Sequence, residues 1–368
     1  MTNLLIGTRI KAIRQARGIS QDELARALGF KDRQTVSAIE TGVRRVSAEE
    51  LLLAMEKLAV SLDYFTDPFR LDGEGLFSWR QMGVPREQLM GYERMAGRWI
   101  GGYRAMSAQV GRRPRLMRQS LGLTKQSSFE DAMEAGERFV AEFDLGPVPA
   151  LSLVEVLEER LGILVLMVDA HAGISGAACR LPELDAVLIA RGEVVGRRNF
   201  DLAHELFHIL TWDAMPPEHI EDSVDFGGNR VEQLANNFAA AVLMPRVSAS
   251  LQAEWESLDM DVLCARLNAV ADELHVTSSA LRWRLVALGA LSRKRAQSIP
   301  ERALRNNGRV RPKDSPPALF SRAFAEVIGA AIEGGYISVR RAAELVGLSI
   351  EGLEELFESH GVEQAFEL

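Results

Sequence analysis

Residues 199–210 read NFDLAHELFHIL. Phe200, Leu202, Ala203, Leu206, Phe207 and Leu210 recur at helical spacing, so the segment is expected to be a helix with a buried face. A helix advances about 100° per residue, which stacks His204 and His208 on one side, where two imidazoles can share one Zn2+ ion. Glu205, one position on, lies beside them as a candidate general base. Zinc needs a third protein ligand. A metzincin would supply Gly at 211 and His at 214, but Thr211 and Ala214 stand there, so that class is excluded.

The other arrangement takes a carboxylate from a following helix. Residues 230–245, RVEQLANNFAAAVLMP, have that character: Glu232 and Asn236 share one side, Phe238, Val242 and Leu243 are available for packing, and Pro245 stops the helix. Glu232 is therefore the expected third metal ligand. His219, Asp222 and Asp225 fall in the intervening loop and are weaker candidates, since a loop must be ordered before it can hold a ligand. Upstream, a capped helix is expected over 129–143 and a second after Ser152, boxed by Glu155 and ended by Gly162. Branched, alternating runs at 163–168, 176–181 and 185–190 then suggest a small sheet.

NFDLAHELFHIL together with EQLANNFAAAVLMP resembles the ImmA/IrrE family of zinc metallopeptidases, and HVTSSALRWRLVALG resembles that family's closing helices. The resemblance implies a zincin-like α+β domain over 127–292, with His204, His208 and Glu232 on zinc and Glu205 as general base. Two departures stand out: Phe207 occupies a position where the family usually has glycine, narrowing the room near the metal, and Trp212 lies where a further histidine is frequent. Arg198 and Asn199, just before the helix, are candidates for stabilising an oxyanion.

The amino-terminal 66 residues read as short helices. Ser20 with Glu23 and Ser47 with Glu50 have capping-box spacing, and Asp32 can cap the helix between. SQDELARALG, QTVSAIETG and SLDYF resemble the lambda-repressor-like (Cro/CI) helix-turn-helix domain. Such a domain lays its second motif helix in the major groove of an operator. Carried over to this sequence, Gln21 would contact phosphate, and Arg33, Gln34 and Ser37 would lie on the reading face, Arg33 suited to guanine and Gln34 to adenine. Lys31, Arg44 and Arg45 are read as phosphate contacts. The turn before the third helix is one residue longer than the commonest pattern.

The net charge of -8 hides a division: residues 1–118 carry 20 Lys+Arg against 13 Asp+Glu, and the remainder 23 against 38. The basic part suits nucleic acid and the acidic part does not. Two cysteines, Cys179 and Cys264, offer neither a disulfide framework nor a cysteine-zinc site. No apolar run approaches the ~20 residues of a membrane span, and no cleavable leader is evident, so a cytoplasmic protein without membrane partners is expected.

The expected fold is mainly α with a small β-sheet (α+β). It comprises a five-helix DNA-binding domain (1–66), a helical connector (67–126), the peptidase-like domain (127–292), a Pro- and Arg-rich linker (293–317) and a helical carboxy-terminal module (318–368). In the connector, Leu89, Tyr92, Ala96, Trp99, Tyr103, Met106 and Val110 form a 3,4 seam that offers homodimerisation, or packing against the chain's own peptidase-like domain. AAELVGLSIEGLEELF in the last module has a helix-turn-helix rhythm, but Glu351, Glu354, Glu355 and Glu358 would repel DNA. Together these readings imply a transcriptional regulator that binds an operator and cleaves a partner repressor or itself after a stress or phage-type signal. The alternative is a transcription factor whose peptidase-like domain is a non-catalytic sensor or dimer scaffold.

Overall fold

The computed structural model describes residues 2–112, 115–222, 229–304 and 315–363. Five helices open the chain: α1 (Thr2–Ala16), α2 (Gln21–Ala27), α3 (Arg33–Glu40), α4 (Ala48–Lys57) and α5 (Leu62–Thr66). Both capping boxes form, and Asp32 accepts from the Thr35 amide, so the orphan donors at three helix starts are satisfied from the sequence itself. Ile10, Leu24, Val36, Ile39, Ala54, Leu58 and Phe65 fill a core separate from the rest of the chain. Gly7 lets α1 lie against α3, since a Cβ there would stand 2.0 Å from the Ile39 carbonyl oxygen. A buried ion pair, Arg14 Nε to Glu40 Oε1 at 2.6 Å, ties the same helices.

A five-stranded sheet follows, in the order β2-β4-β3-β1-β5. Its strands are β1 (Leu76–Gln81), β2 (Ile163–Val168), β3 (Ile174–Arg180), β4 (Asp185–Ala190) and the three-residue β5 (Ile220–Asp222). β3 is antiparallel to both β1 and β4, while β2 runs parallel to β4 and β5 parallel to β1. Both faces are covered, which is why β2 and β4 read as continuous apolar runs. Ile163, Val165, Ala178, Val187 and Ile189 face one core, beneath α7 (Phe129–Phe143), α9 (Val195–Thr211), α10 (Arg230–Leu243), α11 (Met260–Glu273) and α12 (Ser278–Ala287). Phe77, Trp79, Leu164, Leu166, Ala177 and Leu188 face the other, shared with α6 (Arg86–Gln109), α14 (Arg322–Glu333), α15 (Val339–Val346) and α16 (Ile350–His360).

The architecture is α+β as expected, with several differences in detail. Residues 67–126 are not a purely helical connector, because β1 enters the sheet beside β3. The α6 seam is occupied within the chain: Trp99 meets Phe320 edge-on at 5.2 Å and donates from Nε1 to the Val346 carbonyl, and Tyr103 stacks on Phe324. Gly101 and Gly102 serve that same packing, since Cβ atoms there would stand 2.7 Å from the Phe69 carbonyl oxygen and 2.5 Å from Leu345 Cδ2. A homodimer therefore cannot use this seam without unfolding the second core. The segment expected as a linker begins as structure: α13 (Arg293–Ser298) buries Ala296, and Ile299 joins the first core. Pro312 lies outside the described residues.

The helix expected after Ser152 is broken up. Pro149–Leu151 is a 3-10 turn, α8 (Leu153–Glu155) a single α turn and Val156–Arg160 a π turn, and Ser152 bonds to the Leu145 carbonyl rather than capping. No helix among the described residues is long and apolar enough to cross a membrane.

Candidate functional site

α9 runs across β3 and β4, and α10 lies beside it. Gly196 in the first turn of α9 approaches the Val276–Thr277 backbone so closely that a Cβ would stand 2.4 Å from it. α10 begins at Asn229, whose side chain accepts from the amides of Val231 and Glu232 at 2.9 and 3.2 Å. That cap fixes the first turn of α10 and with it the backbone of Glu232. The result is convergence: His204 Nε2 lies 3.2 Å from Glu232 Oε2, His208 Nε2 3.4 Å from Glu232 Oε1, and the two Nε2 atoms 3.1 Å apart. His204, His208 and Glu232 offer ligand atoms all within 4.8 Å of one another, the three-donor set a zinc ion takes in an open catalytic site.

Burial keeps these imidazoles neutral, the form that binds metal. It pushes His208 down to about 3, with His204 beside it adding to the shift, and lowers His204 as well. His204 Nδ1 lies 3.0 Å from Asn236 Oδ1. An amide oxygen accepts, so the proton sits on Nδ1 and the Nε2 lone pair faces the metal position. Phe207 turns into the core, its ring 5.7 Å from both Phe238 and His208.

Glu205 is buried, at 1% exposure, and burial carries its carboxyl well above the ordinary range, against the lowering effect of Arg80. Arg80 and Asp201 complete the surroundings, and neither was singled out by the sequence. Arg80 on β1 reaches across to α9, with Nη1 3.1 Å from Asp201 Oδ1. No spacing rule links residues so far apart. The alternation of Phe77 and Trp79 between Gly75 and Gly83 was the available signal for the strand itself.

Other candidates fall away from the metal position. His219 Nε2 pairs with Glu93 Oε2 at 2.6 Å in a partly exposed position. The Asp222 side chain and all of Asp225 lie outside the described residues. The Asn199 amide donates to the His275 carbonyl at 2.9 Å, and Arg198 donates to the carbonyls of Arg191 and Glu193, so both serve the fold.

In the amino-terminal domain, Lys31, Arg33, Gln34 and Arg45 are exposed on or beside α3, with Ser37 half-buried on the same helix. Gln21 is held by Glu40, donating from Nε2 at 2.8 Å. Arg44 makes a two-pronged pair with Glu50, at 3.0 and 2.6 Å, and covers the Phe30 ring. Its charge is balanced inside the domain, whereas Lys31, Arg33 and Arg45 present theirs outward.

Residues 10–65 match the family model for a helix-turn-helix, and residues 158–286 match that for an IrrE N-terminal-like domain. No curated protein and no solved structure matches the chain. The chain thus fuses a Cro/CI-type helix-turn-helix to an IrrE/ImmA-like peptidase-family domain, and β1 and α6 lie outside both matches.

Proposed function

We propose that this DNA-binding regulator hydrolyses a peptide bond, in a partner regulatory protein or in itself, at a zinc site made by His204, His208 and Glu232. The observation that carries the reading is the convergence of those three donors with Glu205 at the next helical position. Bound zinc supplies Lewis-acid chemistry and lowers the pKa of water to about 7. A cation held at the three donors, together with Arg80, would favour the ionised Glu205 carboxylate against its burial, and in that form Glu205 accepts the proton from the attacking water and returns it to the leaving amine, a role that contributes about 10²- to 10⁴-fold. Asn236 holds His204 in the required tautomer. In the other domain, α3 enters the major groove of the operator, with Arg33 and Gln34 at base edges and Lys31 and Arg45 on phosphates.

A second reading has its own support. His204 and His208 are fully buried and Glu205 is 1% exposed, which suits a metal site that senses or braces rather than cuts. Metal analysis and proteolysis separate the two. For the peptidase, the purified chain binds one zinc per molecule, and Glu205→Gln keeps the metal but loses a cleavage that the wild type performs on a co-expressed target. If wild type and Glu205→Gln leave the same proteins intact in cells and in vitro, the catalytic reading falls and the sensing one stands.

A further inference from the structure

Helices of the first core meet around a cavity that they do not fill. It has a volume of about 440 Å³ and is lined by residues of α7, α9, α10, α12 and α13. Close-packed interiors leave few voids larger than a water molecule, whereas small-molecule sites run from roughly 300 to 1,000 Å³. The side chains account for the space: Ala240 of α10 and Ala280 and Ala287 of α12 bring only a methyl group to the lining. Met133, Phe200 and Trp283 supply the larger apolar surface, the last two with aromatic rings.

The lining is also cationic. Arg284 belongs to it at 1% exposure. Its Nε donates to the Met244 carbonyl at 3.0 Å and its Nη2 to Glu137 Oε1, while Nη1 is buried without a hydrogen-bond partner among the described residues. A buried donor left unsatisfied is rare in native interiors and calls for a functional explanation. Glu137 does not belong to Arg284 alone: both its oxygens lie 3.1 Å from the Arg246 amide, and Arg246 Nε stands 3.8 Å from Oε1. Arg293, exposed, adds a further guanidinium to the lining. A buried cation with a spare donor, a second arginine and aromatic walls complement a carboxylate carried on an aromatic body, since guanidinium–carboxylate bonds are strong and their strength rises out of water.

One side chain joins this cavity to the metal ligands. Asn236 lines it and places Oδ1 3.0 Å from His204 Nδ1. We propose that the cavity is an effector site for a small aromatic carboxylate, whose carboxylate takes Arg284 Nη1 and Arg293 and whose ring lies against Phe200 and Trp283, and that occupancy holds Asn236 against His204 and so strengthens metal binding. The inference rests on the three-donor metal site of the reading above and is independent of whether that site cuts. It gives the regulator a chemical input that reaches His204 from α10. Binding linkage is reciprocal, so the metal strengthens binding of the acid by the same factor.

The test titrates the full-length chain, with and without zinc, by calorimetry with 1-naphthoate and with its neutral counterpart 1-naphthalenemethanol. The acid should bind one per chain and at least tenfold more tightly than the alcohol. Arg284→Gln should remove that preference. If Arg284→Gln does not fold, Arg293→Gln, at an exposed position, should weaken the acid at least threefold and leave the alcohol unchanged. Ala240→Phe, which fills the cavity from a half-buried position, should weaken both compounds at least tenfold. Saturating 1-naphthoate should tighten zinc at least threefold, measured against a competing chelator, and Asn236→Ala should abolish that gain. Absence of binding, equal binding of acid and alcohol, or binding that survives Ala240→Phe and so lies elsewhere, at the metal included, overturns the site. Zinc affinity indifferent to the acid overturns its role as an effector site. A chain that takes up no zinc but still binds the acid through Arg284 instead removes the metal-site reading, and a chain that cuts its target at a rate indifferent to the acid, with no binding in the cavity, leaves the peptidase reading standing and removes this one.

Discussion

Asn236 Oδ1 stands 3.0 Å from His204 Nδ1 while the other ring nitrogen of His204 faces Glu232 at 3.2 Å. The imidazole is thus oriented from behind, through a residue one helical turn beyond the carboxylate on α10. Such outer partners typically carry 10- to 100-fold in metal affinity. Asn236→Ala is expected to weaken zinc binding by about that factor, and Asn236→Asp, which keeps an accepting oxygen, to retain it. Competition against a chelator of known affinity measures both. An unchanged affinity in Asn236→Ala would show that the fold alone orients the ring.

The α6 seam gives a prediction about self-association. Trp99 is buried against Phe320 and Val346 of its own chain, so Trp99→Ala should cost stability, about 3–5 kcal/mol for losing a large buried aromatic. Any homodimer should survive the change at concentrations where the variant is folded. Sedimentation of wild type and variant tests this. Loss of a dimer by a variant that remains folded would return the seam to the subunit interface.

The legibility of this chain followed the range of each signal. His204, Glu205 and His208 lie within one helical turn, and Glu232 follows on the next long helix, so local periodicity carried their reading. The capping boxes at Ser20 and Ser47 and the helix Phe129–Phe143 were legible for the same reason. Arg80 and Asp201 were not. Their pairing depends on β1 joining β3 across nearly a hundred residues, and a six-residue strand between two helical stretches gives only a weak period-two signal. The seam on α6 was visible, but a seam does not name its partner. The partner was α14 with its flanks, more than 200 residues downstream, which no heptad count specifies.

The two-pronged pair of Arg44 with Glu50 changes what its removal should do to DNA binding. An arginine already balanced inside the domain releases few counterions from the duplex. Arg45→Ala is expected to reduce the salt slope of binding by about 1 and to weaken all sequences alike, while Arg44→Ala changes the slope little and lowers thermal stability instead. Arg33→Ala should cost about 1–3 kcal/mol at a single operator position. Binding isotherms at several salt concentrations, on an operator and its single-base variants, separate the three. Equal slopes for wild type and Arg45→Ala would take Arg45 off the phosphate backbone.

Glu158 sets a pH dependence with a defined sign. It sits on the π turn beside β2, accepts from the Val165 amide at 3.2 Å and is bonded by the Ser321 side chain at the start of α14. Burial raises its carboxyl from 4.5 to about 7, and the two hydrogen bonds oppose the rise without cancelling it. The folded chain therefore holds this proton more tightly than the unfolded one. The resulting stabilisation is full below pH 4.5, falls as the unfolded carboxyl ionises, and is gone above pH 7. A shift of that size corresponds to roughly 3 kcal/mol. The buried imidazoles contribute the opposite slope in the metal-free chain, so the useful quantity is the difference between wild type and Glu158→Gln at each pH, with zinc held constant. Glutamine stays neutral throughout. Relative to the variant, wild type should lose about 3 kcal/mol between pH 4.5 and pH 8, measured by urea unfolding. A difference that stays flat across this range would mean that Glu158 ionises normally in the folded chain, with water reaching the junction between the π turn and α14.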